Sequence, residues 1–190
     1  MPGNYRARLT VNGQSMEQNF EIVKDPRLPN TAEDYQKQFD YLIGVRDKVS
    51  EAHQAILDIR ETKSDIDYLN NKISDDQTYE DIRRMAKELK KELEVIENNI
   101  HMTKNQAYQD PLNFGIRINN RLAFLMADQQ RGDYPPTDQA IAFKKEVTTE
   151  LDKELEDLNK LYEEQLLLLN EMIEEKGLKM IKAKTPAEVN

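Results

Sequence analysis

The chain has 190 residues, 38% of them apolar and 33% charged, and its 27 basic and 36 acidic side chains leave a net charge of −9. It has no cysteine, hence no disulfide framework, zinc ribbon or thiol nucleophile, and its acidity argues against a nucleic-acid surface, which needs clustered lysine and arginine. The longest apolar run, the leucines at 166–169, falls far short of the roughly 20 residues that cross a membrane, and residues 1–6 lack the apolar core of a signal peptide.

Residues 4–24 carry the period of a half-buried strand. Tyr5, Ala7, Leu9 and Val11 alternate with polar residues, Asn12-Gly13 follows, and Met16, Phe20 and Ile22 resume the alternation. Asn-Gly suits a type I′ turn, which needs positive φ at both central residues. A two-residue turn pairs Leu9 with Met16 and Tyr5 with Phe20, so the four share one face. An isolated hairpin is marginal in water, so that face is expected to cover something and is a candidate interface. Asp25-Pro26-Arg27-Leu28-Pro29 reads as a linker held extended by its prolines.

From 32 to about 72 the period becomes helical, with Asn30 or Thr31 as N-cap. Val49, Ala52, Ile56, Ile59, Lys63, Ile66, Asn70 and Ile73 form a heptad stripe that Phe39, Leu42 and Val45 extend towards the N-terminus. Lys63 and Asn70 are polar intrusions of the kind that set register, and Gly44 would allow a close helix crossing. After a turn at 74–78, a second helix is expected over 79–107, with Ile82, Met85, Leu89, Leu93, Ile96, Ile100 and Thr103 inward. A third, shorter helix is expected over 116–130. The last runs from 137 to about 176, with Val147, Leu151, Leu155, Leu158, Tyr162, Gln165, Leu169 and Met172 inward and Gly177 as C-cap. The fold predicted is mainly α: a long antiparallel four-helix bundle, one helix short, preceded by a β-hairpin. Residues 1–24 form the hairpin, 25–31 the linker, 32–177 the bundle and 178–190 a tail, frayed except where Leu178, Met180 and Ile181 dock.

No nucleophile elbow, phosphate loop, dinucleotide fingerprint or zinc-binding His-Glu-x-x-His motif is present. The two histidines, His53 and His101, lack a glutamate three residues before them, so the Glu-x-x-His pairs of a di-iron bundle are missing. No catalytic, cofactor-binding or metal residue is assigned. Residues 144–176 hold 11 acidic and 5 basic side chains, which points to a solvated anionic face. In the same helix Leu167 and Leu168 are read either as core or as a partner contact. The segment 103–122 is dense in amides around a turn. Asn105, Gln106, Asp110, Asn113, Arg117, Asn119 and Asn120 form a candidate cluster, either satisfying backbone groups at a helix break or holding a ligand.

That segment, read as Lys104-Asn105-Gln106, then Gln109-Asp110-Pro111-Leu112-Asn113, then Ile116-Arg117-Ile118-Asn119-Asn120-Arg121-Leu122, resembles the C-terminal region of large bacterial Asp-box (BNR-repeat) β-propeller proteins of the glycosyl hydrolase-like or sortilin-like kind. Pro2-Gly3-Asn4-Tyr5, Leu9, Gly13 and Asp25-Pro26-Arg27 resemble the hairpin and linker that close the small β-sandwich after the propeller in that family. The chain has no Ser-x-Asp-x-Gly-x-Thr box and no tryptophan, so no propeller site residue carries over. The resemblance implies a C-terminal piece of a secreted or periplasmic protein, its hairpin the remnant of a sandwich. The implied role is a non-catalytic accessory or interaction domain, packed on other domains of its parent or on a second copy. Two alternatives stay open: a glycoside-processing enzyme domain with its site near residues 105–120, and a free-standing coiled-coil adaptor or chaperone.

Overall fold

The computed structural model describes residues 1–74, 76–179 and 181. The turn residue Asp75 and the expected docking of Met180 therefore lie outside the described residues, as does the tail beyond Ile181. Strands β1 (Gly3–Val11) and β2 (Gln14–Ile22) form the predicted antiparallel hairpin, with Tyr5 opposite Phe20 and Leu9 opposite Met16. Asn12 (φ 49°) and Gly13 (φ 80°) supply the two positive φ angles that the two-residue turn requires. Tyr5 and Phe20 stack with centroids 5.8 Å apart. On the opposite face Arg6 and Arg8 both reach Glu17, and Thr10 meets Ser15.

Helix α1 (Ala32–Lys72) is 41 residues long, a rod of about 60 Å. It opens on Thr31, whose hydroxyl accepts from Asp34 N while the Asp34 carboxylate accepts from Thr31 N, a reciprocal capping box. Helix α2 (Glu80–Ile100) follows a single 3-10 turn and stops at His101, which is extended. The expected end at 107 is seven residues too far. The Asp110 carboxylate takes the N–H groups of Gln106 and Ala107 at 2.6 and 2.8 Å, offering them a turn in place of helical carbonyls. A one-turn helix α3 (Pro111–Phe114) ends at Gly115 (φ 78°). Helix α4 (Ile118–Gln129) starts two residues later than predicted because Arg117 is extended and its N–H is capped by Asn120 Oδ1. Helix α5 (Asp138–Leu161) continues through a π turn over Tyr162–Leu166 into α6 (Leu167–Glu175).

The mainly-α antiparallel bundle with its N-terminal hairpin is what the chain adopts, but its cross-section holds three rods. Arg60, Lys63 and Asp67 of α1 pair with Glu97, Glu94 and Lys90 of α2. Gln38 of α1 donates to the carbonyl of Gln129, at the end of α4. α4 thus takes over along α1 where α2 stops, and the two make one interrupted rod. The third rod, α5 to α6, spans both: Glu150 pairs with Arg121 of α4, Glu154 with Asn99 of α2, and Gln165 with Glu92 of α2. One core cluster runs from Ala52 and Ile56 through Leu89, Leu93, Leu151 and Leu158 to Ile173 and Ile181. A smaller one, Tyr41, Val45, Leu125 and Ala140, fills the end beside the hairpin.

Inward positions differ from the stripe in both the first and the last rod. Gln38, not Phe39, turns towards the bundle and donates to the carbonyls of Gln129 and Gly132 at 2.8 and 2.6 Å. That leaves Phe39 45% exposed on the hairpin side. In the last rod Leu166 and Ile173 are fully buried where Gln165 and Met172 were expected. The π turn takes up one extra residue, so the inward step from Tyr162 is four rather than three. Gly177 (φ 66°) caps α6 as predicted, and the Leu178 N–H returns to the Ile173 carbonyl at 3.0 Å. Ile181 is then held by Asn170 through both its N–H and its carbonyl.

Gly44 makes room for a side chain. A Cβ there would collide with Lys144 Nζ, which donates to the Tyr41 carbonyl at 3.1 Å and lies 4.8 Å from the Tyr41 ring centroid. Glycine inside a helix costs about 1 kcal/mol relative to alanine. Gly44→Ala alone is therefore expected to gain little, because it displaces Lys144. In a Lys144→Ala background it should stabilise by about 1 kcal/mol. Urea unfolding of the four proteins of that cycle measures the difference.

Candidate functional site

The hairpin is the most unusual surface of the molecule. Every residue of both strands is exposed, and its apolar face ranges from 39% exposure at Tyr5 to 67% at Met16. Leu9, Val11, Phe20 and Ile22 lie between those limits. Strands of nine residues are about 30 Å long, and two of them about 10 Å across, so this face covers about 300 Å². Its edges are open as well. Native edge strands are blunted by proline, lysine, bulges or inward charges. These strands pair one to one throughout, contain no proline or lysine, and carry no charge on the apolar face.

The linker is hydrogen-bonded within itself and to the bundle. The Asp25 carboxylate accepts from Arg27 N at 2.9 Å and from the Arg27 guanidinium at 2.6 Å, and Leu28 N returns to the Asp25 carbonyl. The arginine beside it holds the Asp25 carboxyl below the usual carboxylate range. Lys24 Nζ donates to the Asn30 carbonyl at 3.0 Å, and the Asn30 amide donates to the carbonyl of Asp133, between α4 and α5.

The amide-rich segment is a second candidate, and the structure divides it. Asn105, Gln106 and Asp110 belong to the turn after α2, where the two backbone N–H groups on Asp110 hold its carboxyl below the usual range. Asn113 is exposed on α3. Arg117 and Asn120 cap α4, the Arg117 side chain on a cleft of about 570 Å³ with Arg121, Glu150, Lys153 and Glu154. Asn119 faces the other way. It is 9% exposed, its amide donates to His101 Nδ1 at 3.1 Å, and its Oδ1 is buried without a partner. The cluster therefore does not converge on one point. It fills the gap between α2 and α4 and serves their ends.

A further group lies at that gap. His53, Ile56, Leu57, Arg60, His101 and Asn119 line a shallow cleft of about 360 Å³. Beneath it Glu97, 3% exposed, receives Arg60 Nε at 2.6 Å and Lys63 Nζ at 3.0 Å. Burial pushes the Glu97 carboxyl up, but the hydrogen bonds and charges of Arg60 and Lys63 outweigh it, and the net shift is downward. Burial, then the Arg60 charge, hold the His101 imidazole below its ordinary value and so neutral at pH 7. Glu97 and His101 stand four residues apart in the sequence, which places them on one side of a helix. Arg60, 37 residues away, gave no local signal. Among the described residues no group of three or more histidine, aspartate and glutamate side chains is placed to hold a metal ion, and no helix is long and apolar enough to cross a membrane.

Leu167 and Leu168 are 56% and 49% exposed, while Leu166 and Leu169 are buried. The four-leucine run is thus half core and half surface. Comparison with protein-family models, with curated proteins and with solved structures finds no match.

Proposed function

We propose that this chain is a non-catalytic helical accessory domain of a larger, secreted or periplasmic β-propeller protein, and that it works by packing against the β-rich part of its parent through the hairpin. The observation that carries this reading is the hairpin's uncovered apolar face with its two unblunted edges. The size of that face favours a partner on the same polypeptide. Two copies meeting through it alone would bury about 600 Å² in total, against the 1,200–2,000 Å² of stable free complexes (about 1,600 Å² is usual). A tethered partner has an effective concentration in the millimolar range and needs far less contact. The resemblance of residues 2–27 to a sandwich-closing hairpin and linker points the same way. The amides at 105–120 are divided between two helix ends and do not converge on one point, which weighs against a site there.

The test is to read the gene upstream of Met1 and to produce the protein with whatever domain is encoded there. Asp-box repeats followed by a β-sandwich are expected. Hydrogen exchange at the amides of Arg6, Arg8, Glu17 and Asn19, which point out from the hairpin edges, should slow by at least about 100-fold in the longer protein. A gene without such a domain, or unchanged exchange, would refute the proposal.

A further inference from the structure

The geometry points to an oxyanion-binding site in the cleft between the start of α4 and the middle of α5, with Arg117 and Lys153 as its binding residues and the anionic group of a small molecule as its occupant. The site is independent of the hairpin and goes beyond the function proposed above.

Two cations in this cleft have no counter-ion. Arg117 lines it, and its guanidinium has neither an ion pair nor a hydrogen-bond acceptor among the described residues; the Nε is buried without a partner. An arginine stays charged throughout the working pH range, and native proteins seldom leave a buried donor unmatched unless water, an ion or a ligand takes it. Lys153, exposed on α5, is likewise without an ion pair among the described residues. The nearby carboxylates are already engaged. Glu150 receives both terminal nitrogens of the Arg121 guanidinium, and Glu154 receives the Asn99 amide on both oxygens at 3.1 Å.

Charge then selects the ligand. Arg117, Arg121 and Lys153 line the cleft against Glu150 and Glu154, a local charge of +1 in a chain of net −9. One added negative charge makes the cleft neutral, whereas a cationic or apolar ligand would leave Arg117 unmatched. A guanidinium fork also fits two oxygens of one carboxylate, sulfate or phosphate group. The first turn of α4 has no acidic side chain, so the helix dipole adds to the positive potential there. The cleft volume, about 570 Å³, falls within the range of about 300–1,000 Å³ of small-molecule sites and so leaves room for the body of a ligand beyond its anionic group. Of the seven residues in the amide-rich candidate cluster only Arg117 borders this cleft, so the site is not that cluster.

The test is an NMR titration of the isotope-labelled chain with sodium sulfate and, separately, with sodium acetate, at an ionic strength held constant with sodium chloride. The Arg117 Nε–H and the Ile118 amide report on the cleft. Saturable shifts in the millimolar range are expected with sulfate, with acetate or with both, and the stronger of the two tells a tetrahedral from a planar oxyanion. At Ile118, Arg117→Gln and Lys153→Gln should each weaken that binding by about tenfold or more, while Lys160→Gln, on a lysine already paired with Glu156, should leave it unchanged. Arg117→Gln should also melt no lower than the parent, because the side-chain N–H it removes has no acceptor to lose. Shifts that never saturate with either anion, or binding that survives both Arg117→Gln and Lys153→Gln, would overturn the site. A lower melting temperature in Arg117→Gln with binding intact would make Arg117 a structural residue and overturn its role. Lys153 is exposed, so its variant decides the question even if Arg117→Gln fails to fold.

Discussion

Leu166→Ala is expected to cost about 3 kcal/mol and Gln165→Ala less than about 1 kcal/mol, although the heptad pattern ranks the two residues the other way. Leu166 is fully buried among the core of the second and third rods. Truncating such a leucine costs about 2–5 kcal/mol, according to how far the site collapses. Gln165 is only half-buried, and its amide donates to the Glu92 carboxylate at 2.9 Å on the surface. In a chain of this length 1 kcal/mol moves the melting temperature by about 2–4 °C. Leu166→Ala should therefore melt about 6–12 °C lower, and Gln165→Ala within about 3 °C of the parent. Calorimetry of both variants decides the register. Equal losses, or a larger loss at Gln165, would mean that the last rod runs without its π turn.

Those two residues also separate what is local in the sequence from what is not. Periods of 2 and 3.5 are local, so the hairpin and the long helices were visible from residue types alone. Leu166 departs from the stripe because the π turn lengthens the inward step after Tyr162 to four residues without leaving a composition signal, while Leu169 stays inward as the stripe has it. The ends of α2 and α4 were missed for another reason. Asp110 and Asn120 compete for backbone N–H groups that a helix would otherwise use, and such competition depends on which turn the chain takes rather than on any period. Phe39 fits the inward stripe by hydropathy. The second rod offers free carbonyls at that level, and Gln38 meets that demand while a phenyl ring does not.

The candidate site divides along the same line. The hairpin face was legible in full, since it needs only alternation and a turn. Its exposure was not, because sequence patterning says that a face is apolar without saying what covers it. The amide cluster was legible as composition but not as geometry: Asp110 serves the turn after α2, Asn120 caps α4, Asn119 meets His101 and Asn113 is exposed.

Removing the Glu97 carboxylate is the second large effect expected, and it carries a pH signature. Glu97 is 3% exposed and receives Lys63, 19% exposed, and Arg60, 52% exposed. Breaking a buried ion pair by deleting one partner costs about 3–5 kcal/mol. Arg60 is half in water and can turn outwards, so its share is discounted, and Glu97→Ala should cost about 2–4 kcal/mol at pH 7. Lys63 is then left with Glu94 alone, 3.6 Å away on the surface. The Glu97 carboxyl titrates below its ordinary value in the folded protein, whereas the unfolded chain titrates near pH 4.3 or so. The stability that this pairing contributes is thus fully present above the unfolded value and is lost as pH falls through the folded one. Urea unfolding from pH 7 down to pH 3 should show the gap between the parent and Glu97→Ala closing as the pH drops. A gap independent of pH would place the cost in packing rather than in charge. The double variant Glu97→Met with Lys63→Met should recover most of the loss, since a buried pair replaced by apolar side chains of similar volume is commonly neutral or stabilising. A double variant as unstable as Glu97→Ala would instead mean that Lys63 and Glu97 hold α1 and α2 in register in a way that apolar contact cannot replace.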